Sequence, residues 1–536
     1  MAALPIPRSS TPGSRPGEGQ GRLINCYSVR EGDVDVVRRC PGLLSVFATT
    51  GTGLRGMIEA NFGFYAVFGD KVAYISYPGP TVAYLAGTIP GTDPVTLAIN
   101  NRTPAADVVA VRRDGGAYVL TPTAVSPYPL TQTAEITASI TGTTLDVTFL
   151  ATGALAVGDG IVGPGVAANT FITALGTGTG GTGAYTVGIA QSAGSAGMAG
   201  YRSILPANVN SVAFLDGYFL FTVPDGRIYA SALNSTDIDA LSFATAESRA
   251  DGLRRGIVCG ALFYAMGGST IEPWQNVGSS PFPLQRAQTI LPTGIRATMA
   301  AAGDGPGWDH GLIFVAADGS VRTLDGYSDA VISTPDVERF IAASVPAELD
   351  MMAHIARGRP LVTVSSPLGS WAYDVRGRAW HERVSAGLAR WRAGGALFTS
   401  SGAWLLGDRL SGHILAPAGD FREAGAAMTV VIESGPLKDY PARLAIPSLF
   451  ADFTAADAGQ IDVSWSHDGG KTFSAPLSRS LAMADRVPVR VNRLGLSTHH
   501  GLRARLASSS DADFAFMGAG VPDPQVRPRA RAAAGQ

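Results

Sequence analysis

Ser211-Val-Ala-Phe-Leu-Asp-Gly-Tyr-Phe-Leu-Phe221, followed by Asp225-Gly-Arg-Ile-Tyr229, is the stretch that decides how this chain folds. Two apolar runs rich in aromatic and β-branched residues flank one Asp-Gly turn, and a second Asp-Gly precedes the next run. Asp-Gly supplies the positive φ angles that a tight hairpin demands, so the phrase reads strand, turn, strand, turn, strand. Working outward, the phrase returns at Phe62-Gly-Phe-Tyr-Ala-Val-Phe-Gly69 with Asp70-Lys-Val-Ala-Tyr-Ile-Ser-Tyr77, at 256–274, and at Gly311-Leu-Ile-Phe-Val-Ala-Ala-Asp-Gly-Ser-Val-Arg322. Weaker forms occupy 360–373 with Trp380, and 396–406.

The recurrence is about 35 to 45 residues, the spacing of four-stranded propeller blades, and about seven units fit between residues 50 and 420. Each unit is apolar on both faces and buries them only against its neighbours, while closing the ring removes the exposed end of the array. The expected fold is all-β: a propeller of about seven blades, with 23–47 supplying a strand to the last blade. Helical periodicity is scarce, and Gly (66) with Pro (34) suits a chain of many turns. Hydrophobic residues at 46% against 16% charged exclude a disordered chain.

Two stretches break the rhythm. Between Ile136 and Gly200 there is no Lys or Arg, only Asp146 and Asp159 carry charge, and Gly, Ala and Thr dominate. Short strands alternating with glycine turns there predict a small inserted β-domain over 131–201, flanked by propeller parts at 22–130 and 202–424. Its glycine run lacks the Lys-Ser/Thr ending of a phosphate loop. Beyond residue 424, Met428–Glu433, Ile461–Trp465, Val487–Val491 and Gly501–Leu506 alternate apolar and polar residues, predicting a β-sandwich over 425–521. The Pro-rich start, 1–21, is expected to be a flexible arm without a cleaved signal. The end, 522–536, with Arg527, Arg529 and Arg531 among Pro and Ala, is expected to be a flexible tail.

Lys plus Arg (41) nearly cancels Asp plus Glu (43), so no basic field exists to hold nucleic acid by counterion release. Cys26, Cys40 and Cys259 lie far apart without metal-ligand spacing and read as small buried hydrophobes. The seven histidines show no HxxxH or HxH pattern. His381-Glu382 is expected to form a rim salt bridge, and His499-His500 to sit exposed in a turn. Neither a nucleophile elbow nor a partnered nucleophile accompanies Asp309-His310. Neither a metal nor a cofactor is expected.

The sharpest local motif, Ser466-His-Asp468-Gly-Gly470-Lys-Thr472-Phe473, resembles the Asp-box of sialidases and other propellers, a turn-stabilising hairpin remote from catalysis. A sialidase also needs an arginine cluster and a tyrosine nucleophile with a carboxylate partner, and no spacing here identifies them. Arg486, Arg490, Arg493, Arg503 and Arg505 concentrate near the C-terminus, where alternation along strands offers several for pairing with carboxylates of another subunit.

Three stretches together resemble the packaged-DNA-stabilisation, or tail-hub, proteins of short-tailed phages. They are Ile24-Asn25 with Arg38-Arg-Cys-Pro41-Gly42-Leu43; Glu247-Ser248, Asp251-Gly252, Ile257-Val258 and Gly267-Gly-Ser269-Thr270-Ile271-Glu272 with Trp274; and Trp465-Ser-His-Asp468-Gly469 with Arg493-Leu-Gly495 and Arg503-Ala-Arg505. Pro273 departs from the family's extended strand. The resemblance implies a virion tail protein without catalytic activity, assembling as a ring of six below the portal and its adaptor. Such a ring retains the packaged genome, passes DNA without reading its sequence, and docks tail fibres, spikes or a needle. The competing expectation is a sialidase-like or glycan-binding propeller acting on host surface polysaccharide.

Overall fold

The computed structural model describes residues 2–15, 17–76, 81–128, 131–167, 170–202, 204–239, 241–246, 248–455, 458–522 and 524–527. Tyr77, Glu247, Arg529 and Arg531 lie outside the described residues.

Seven four-stranded antiparallel meanders form the propeller. Blade one runs from Leu54–Ala60 to Val82–Tyr84, blade two from Val95–Ile99 to Val125–Pro127, and blade three from Ser211–Leu215 to Phe243–Thr245. Blade four runs from Leu253–Cys259 to Leu284–Arg286, blade five from Ala301–Ala302 to Ser328–Val331, and blade six from Asp350–Ala356 to Ala379–Glu382. Blade seven takes Ala393–Phe398, Trp404–Asp408 and His413–Pro417 from one end of the ring and Leu43–Ala48 from the other, with Ala48 opposite His413 and Leu43 opposite Pro417. Its innermost strand lies against that of blade one, so the ring is closed.

The Asp216-Gly217 turn in blade three has φ of 49° and 96°, the left-handed pair that its hairpin requires. Apolar clusters bridge successive blades, as the two-faced hydrophobicity demands. Tyr65 and Val67 of blade one meet Val108 and Ala110 of blade two, and Phe64 and Phe68 on the other face meet Leu397 and Ile414 of blade seven. Each fully buried aromatic contributes about 1.5–3 kcal/mol. In blade four, Pro273 sits within Ile271–Asn276; its carbonyl accepts from Ala287 N (2.8 Å), so its nitrogen faces the short outer strand, where little pairing is lost.

The N-terminal 39 residues correct two expectations. The 1–21 segment is not a free arm: Ala2–Ala3 pairs with Gly520–Val521, Ser10 is buried, and Thr11 N donates to Gly21 O (2.9 Å). Cys26–Glu31 and Val34–Arg39, expected within the propeller, form a hairpin whose second strand pairs with Phe514–Val521 in the sandwich. Only Leu43–Ala48 joins blade seven. The terminal expectation also changes, because Gln525–Arg527 pairs with Arg443–Ala445.

One sandwich sheet contains Cys26–Glu31, Val34–Arg39, Phe514–Val521, Arg443–Ala455 and Val489–Leu496 in that order. The other contains Arg22–Ile24, Val430–Glu433, Arg503–Ser508, Gln460–Ser466 and Leu477–Ser480. Arg22–Ile24 also pairs in parallel with blade six at Glu382, making propeller and sandwich share one continuous sheet.

Between blades two and three, Thr131–Gly153 and Gly183–Arg202 are two long, bulged strands that curl into a barrel. Gly160–Val162 and Ile172–Leu175 pair with the second strand, and Gly160 bridges Phe171. The first strand returns on its own start, where Ala154 N donates to Thr133 O (3.0 Å). Ile136, Ile140, Leu145, Tyr185 and Met198 fill a core of their own. The charge-poor composition follows: Asp159 is fully buried, accepting from Ala156 N (2.8 Å) and Thr133 Oγ1 (3.1 Å) and pairing with Arg202 (2.5 Å).

Candidate assembly surfaces and the propeller–sandwich joint

The joint is built on polar residues that the apolar pattern conceals. Glu382, expected on a rim, is buried at the end of blade six, where Arg22 grips it and Ser10 Oγ donates to Oε1 (2.7 Å). Asn25, in a left-handed conformation (φ 55°), donates from Nδ2 to Val384 O and Thr429 O, both at 2.8 Å. Its Oδ1 accepts from Val384 N (3.1 Å), so one amide clips the propeller to the sandwich. Arg39 is buried and donates to Ser510 O (2.7 Å) and Ala512 O (2.6 Å), with its guanidinium over Phe421. Burial pushes its pKa down to about 10. A Cβ on Gly42 would meet Arg422 O at 2.2 Å, so no side chain fits there.

Glu423 is a second buried acid, accepting from Trp391 Nε1 (2.8 Å) and Ser385 Oγ, and facing Arg383 at 3.4 Å. His354 and His381 are buried in the same region, and burial first, then the nearby Arg383, pushes both pKa values down to about 3. Composition offered no signal for this cluster; the only clue was that Trp380, His381, Glu382 and Arg383 crowd one strand end. In blade four, Asp251 accepts from Ser269 N (2.6 Å), Ser269 Oγ (2.8 Å) and Thr270 N (2.8 Å). The residues that carry the family likeness there lock a turn.

The Asp-box residues come together in the Gln460–Ser466 to Leu477–Ser480 connection. Asp468 Oδ1 accepts from Ser466 Oγ (2.7 Å) and Thr472 N (2.9 Å), Oδ2 accepts from Thr472 Oγ1 (2.6 Å), and Gly470 N donates to Ser466 Oγ (2.9 Å). Desolvation raises the Asp468 pKa, but the Thr472 and Ser466 donors outweigh it and hold the carboxyl well below the usual range. Phe473 lies beneath Arg505, whose guanidinium is 3.6 Å from the ring centroid. Gly469 O accepts from Gly17 N (2.8 Å), so the turn also holds the N-terminal segment.

The five arginines divide. Arg503 is buried, donating to the Glu18 and Gly19 carbonyls, and Arg505 pairs with Glu433 (3.1 Å); their partners lie within the chain, which corrects the expectation for these two. Arg486, Arg490 and Arg493 are exposed. Arg490 and Arg493 belong to Val489–Leu496, the edge strand of its sheet, and the carboxylate beside Arg486 is Asp485 at 3.9 Å. Met483 and Val487 lie exposed on the same border.

On the propeller axis a cavity of about 490 Å³ opens among the innermost strands. Its acids among the described residues are Asp304 and Asp350, facing Arg255 (3.3 Å) and Arg409 (2.5 Å), and Met352, Leu397 and Trp404 line much of the remainder. Tyrosine does not line it among the described residues. No cluster of metal-ligating side chains occurs among the described residues, and no helix there is long and apolar enough to cross a membrane.

A closed ring of seven four-stranded blades defines a β-propeller scaffold. Residues 205–416 match the model of the family described as bacteriophage P22 Gp10, beta-propeller, the phage stabilisation family that the sequence resembles. No curated protein matches the chain. Similar solved structures are the WD40 β-propeller domain of Doa1 (10% identity, TM-score 0.34, 71% of this chain and 97% of that one) and BBS1N in complex with ARL6DN (10%, 0.36, 71% and 98%). At such scores the fold rests on the strand pairing described above.

Proposed function

We propose that the chain is a subunit of the tail hub, or nozzle, of a short-tailed phage. It assembles as a homohexameric ring below the portal and adaptor, narrows the DNA exit channel so that the packaged genome is retained, and offers its outer surfaces to tail fibres, spikes or a needle. The family match is the observation that carries this reading. The shared sheet through Arg22–Ile24 supports it further, because a body that bears DNA pressure needs propeller and sandwich to move together. In this reading the protein is not an enzyme: both acids of the axial cavity face arginines, so neither stands free as a proton donor.

The border carrying Arg486, Arg490 and Arg493 is the subunit contact in this proposal, since exposed arginines beside apolar Met483 and Val487 match the composition of protein interfaces. Purified protein added to portal–adaptor particles is expected to appear in electron micrographs as a ring below the adaptor. The Arg486→Glu, Arg490→Glu, Arg493→Glu triple variant is expected to stay folded but leave those particles bare. Rings formed equally by the triple variant would remove this border from the interface. Particles that stay bare with the unaltered chain, or turnover of a fluorogenic sialoside, would remove the hub reading itself.

A further inference from the structure

Two flanks of the molecule carry matched surfaces. In the sandwich sheet that opens with Cys26–Glu31, that first strand lies against blade six, where the Tyr27 ring is 6.0 Å from His381 and beneath Arg359 (5.1 Å). Val489–Leu496 is the opposite edge of the same sheet, so Arg486, Arg490 and Arg493, with exposed Met483, Val487 and Leu496, stand at the border remote from the propeller. The sandwich is tied to blade six at Ile24 and Glu382, and its approach to blade seven runs through Glu423 beside Leu43. From that junction blades six, five and four lead one way around the ring to blade three, and blades seven, one and two lead the other way. Blade three is therefore the flank opposite the sandwich.

What blade three exposes is apolar and acidic. Its outer connection presents Leu233 (61% exposed), Leu241 (68%) and Phe243. The turn Asp216-Gly217 belongs to the same surface: Asn234 N donates to Gly217 O (2.7 Å), and a Cβ on Gly217 would stand 2.5 Å from Leu233 Cδ1. Exposed Val277 of blade four adjoins it, because Asn276 Nδ2 donates to Asp216 Oδ2 (3.3 Å). Asp237 accepts from Ser235 Oγ (2.9 Å) and Asp239 from Leu241 N (2.8 Å), and with Asp216 they are exposed and have no cationic partner among the described residues. No lysine or arginine occurs between Ile228 and Ser248. Arg102, whose neighbour Asn101 donates to Asn234 (3.3 Å), is already paired with Asp107 (3.1 Å).

A cyclic ring of more than two copies is held by unlike patches on two flanks of each subunit, because every contact is head to tail. A border of arginines among apolar side chains needs apolar side chains and unspent carboxylates across from it. We propose that the flank of blade three is that counter-surface: Arg486, Arg490 and Arg493 of one protomer meet Asp216, Asp237 and Asp239 of its partner, with the apolar side chains of both between them. The inference rests on the hub reading and names the second half of its interface.

Charge reversal on each flank tests it, with the full chain and portal–adaptor particles. Asp237→Arg with Asp239→Arg, at two exposed positions, is expected to keep the parent melting temperature and to lower ring occupancy by at least about tenfold, as the triple arginine variant does. All five reversals in one chain are expected to restore the rings. An equimolar mixture of the two variants is expected to restore them too, since in an alternating ring of six each reversed border meets a reversed blade three and each unaltered border an unaltered one. Full occupancy with Asp237→Arg, Asp239→Arg alone would overturn the counter-surface and leave the hub and its arginine border standing. Failure of both the five-fold variant and the mixture to recover would overturn it as well. Bare particles with the unaltered chain would instead remove the hub reading, and this inference with it.

Discussion

Asn61 and Phe62 form the turn between the first two strands of blade one with φ of 55° and 63°, a left-handed pair that usually ends in glycine. Phe62 is 84% exposed, so its ring repays nothing of the backbone cost. Phe62→Gly is expected to stabilise the protein by about 1 kcal/mol, read as a raised urea midpoint with an unchanged slope. The buried histidines act in the opposite sense. With folded pKa values of about 3 against an ordinary 6.5, His354 and His381 stay neutral in the fold while the unfolded chain takes up protons below pH 6.5. Stability is therefore full above pH 6.5 and falls towards pH 3, by at most about 1.4 kcal/mol per pH unit for each ring. Melting temperatures between pH 7.5 and 4.5 should drop steeply in the unaltered protein and less steeply in His354→Phe and His381→Phe. Equal slopes would show that neither ring titrates on unfolding.

At the scale of elements, what was legible in the sequence was local. Asp216-Gly217 and the aromatic runs beside it announce a hairpin within a dozen residues, and every blade but the seventh is a contiguous meander of that kind. The Asp-box residues are legible for the same reason, since Ser466, Asp468 and Thr472 bond to one another across a few positions. The joint was not legible, because Arg22 and Glu382 are 360 residues apart and three-residue Arg22–Ile24 is too short to show a period. Prolines in the first 21 residues read as an unstructured arm, yet that segment supplies the carbonyls that Arg503 holds, the hydroxyl on Glu382, and Gly13 N, which donates to Asp336 at 2.9 Å. It is a strap across propeller, helix Pro335–Ala343 and sandwich. Removing residues 2–21 while keeping Arg22–Ile24 is expected to leave both bodies folded but loosely joined. Calorimetry should then resolve two transitions, and trypsin should cut faster after Arg422. One cooperative melt with unaltered cleavage would deny the strap this role.

For the whole molecule, the strand pairing separates what the ring requires from what it carries. Blades one to seven depend on each other, because each apolar cluster of the propeller draws on at least two blades. The barrel draws on none of them: all its core residues lie between Ala134 and Met198. Thr131 and Arg202, at its two ends, are antiparallel partners, about 5 Å apart, a gap that a short linker spans. Excision of 131–202 and closure with a Gly-Ser linker is therefore expected to leave the propeller's melting temperature within about 2 °C, since no buried apolar contact of the ring is lost. The same protein should still form rings with portal–adaptor particles, because the Arg486, Arg490 and Arg493 border lies in the sandwich. A fall of more than about 5 °C would mean that blades two and three need the barrel between them, and the ring would then be an eight-part structure rather than seven blades bearing a passenger.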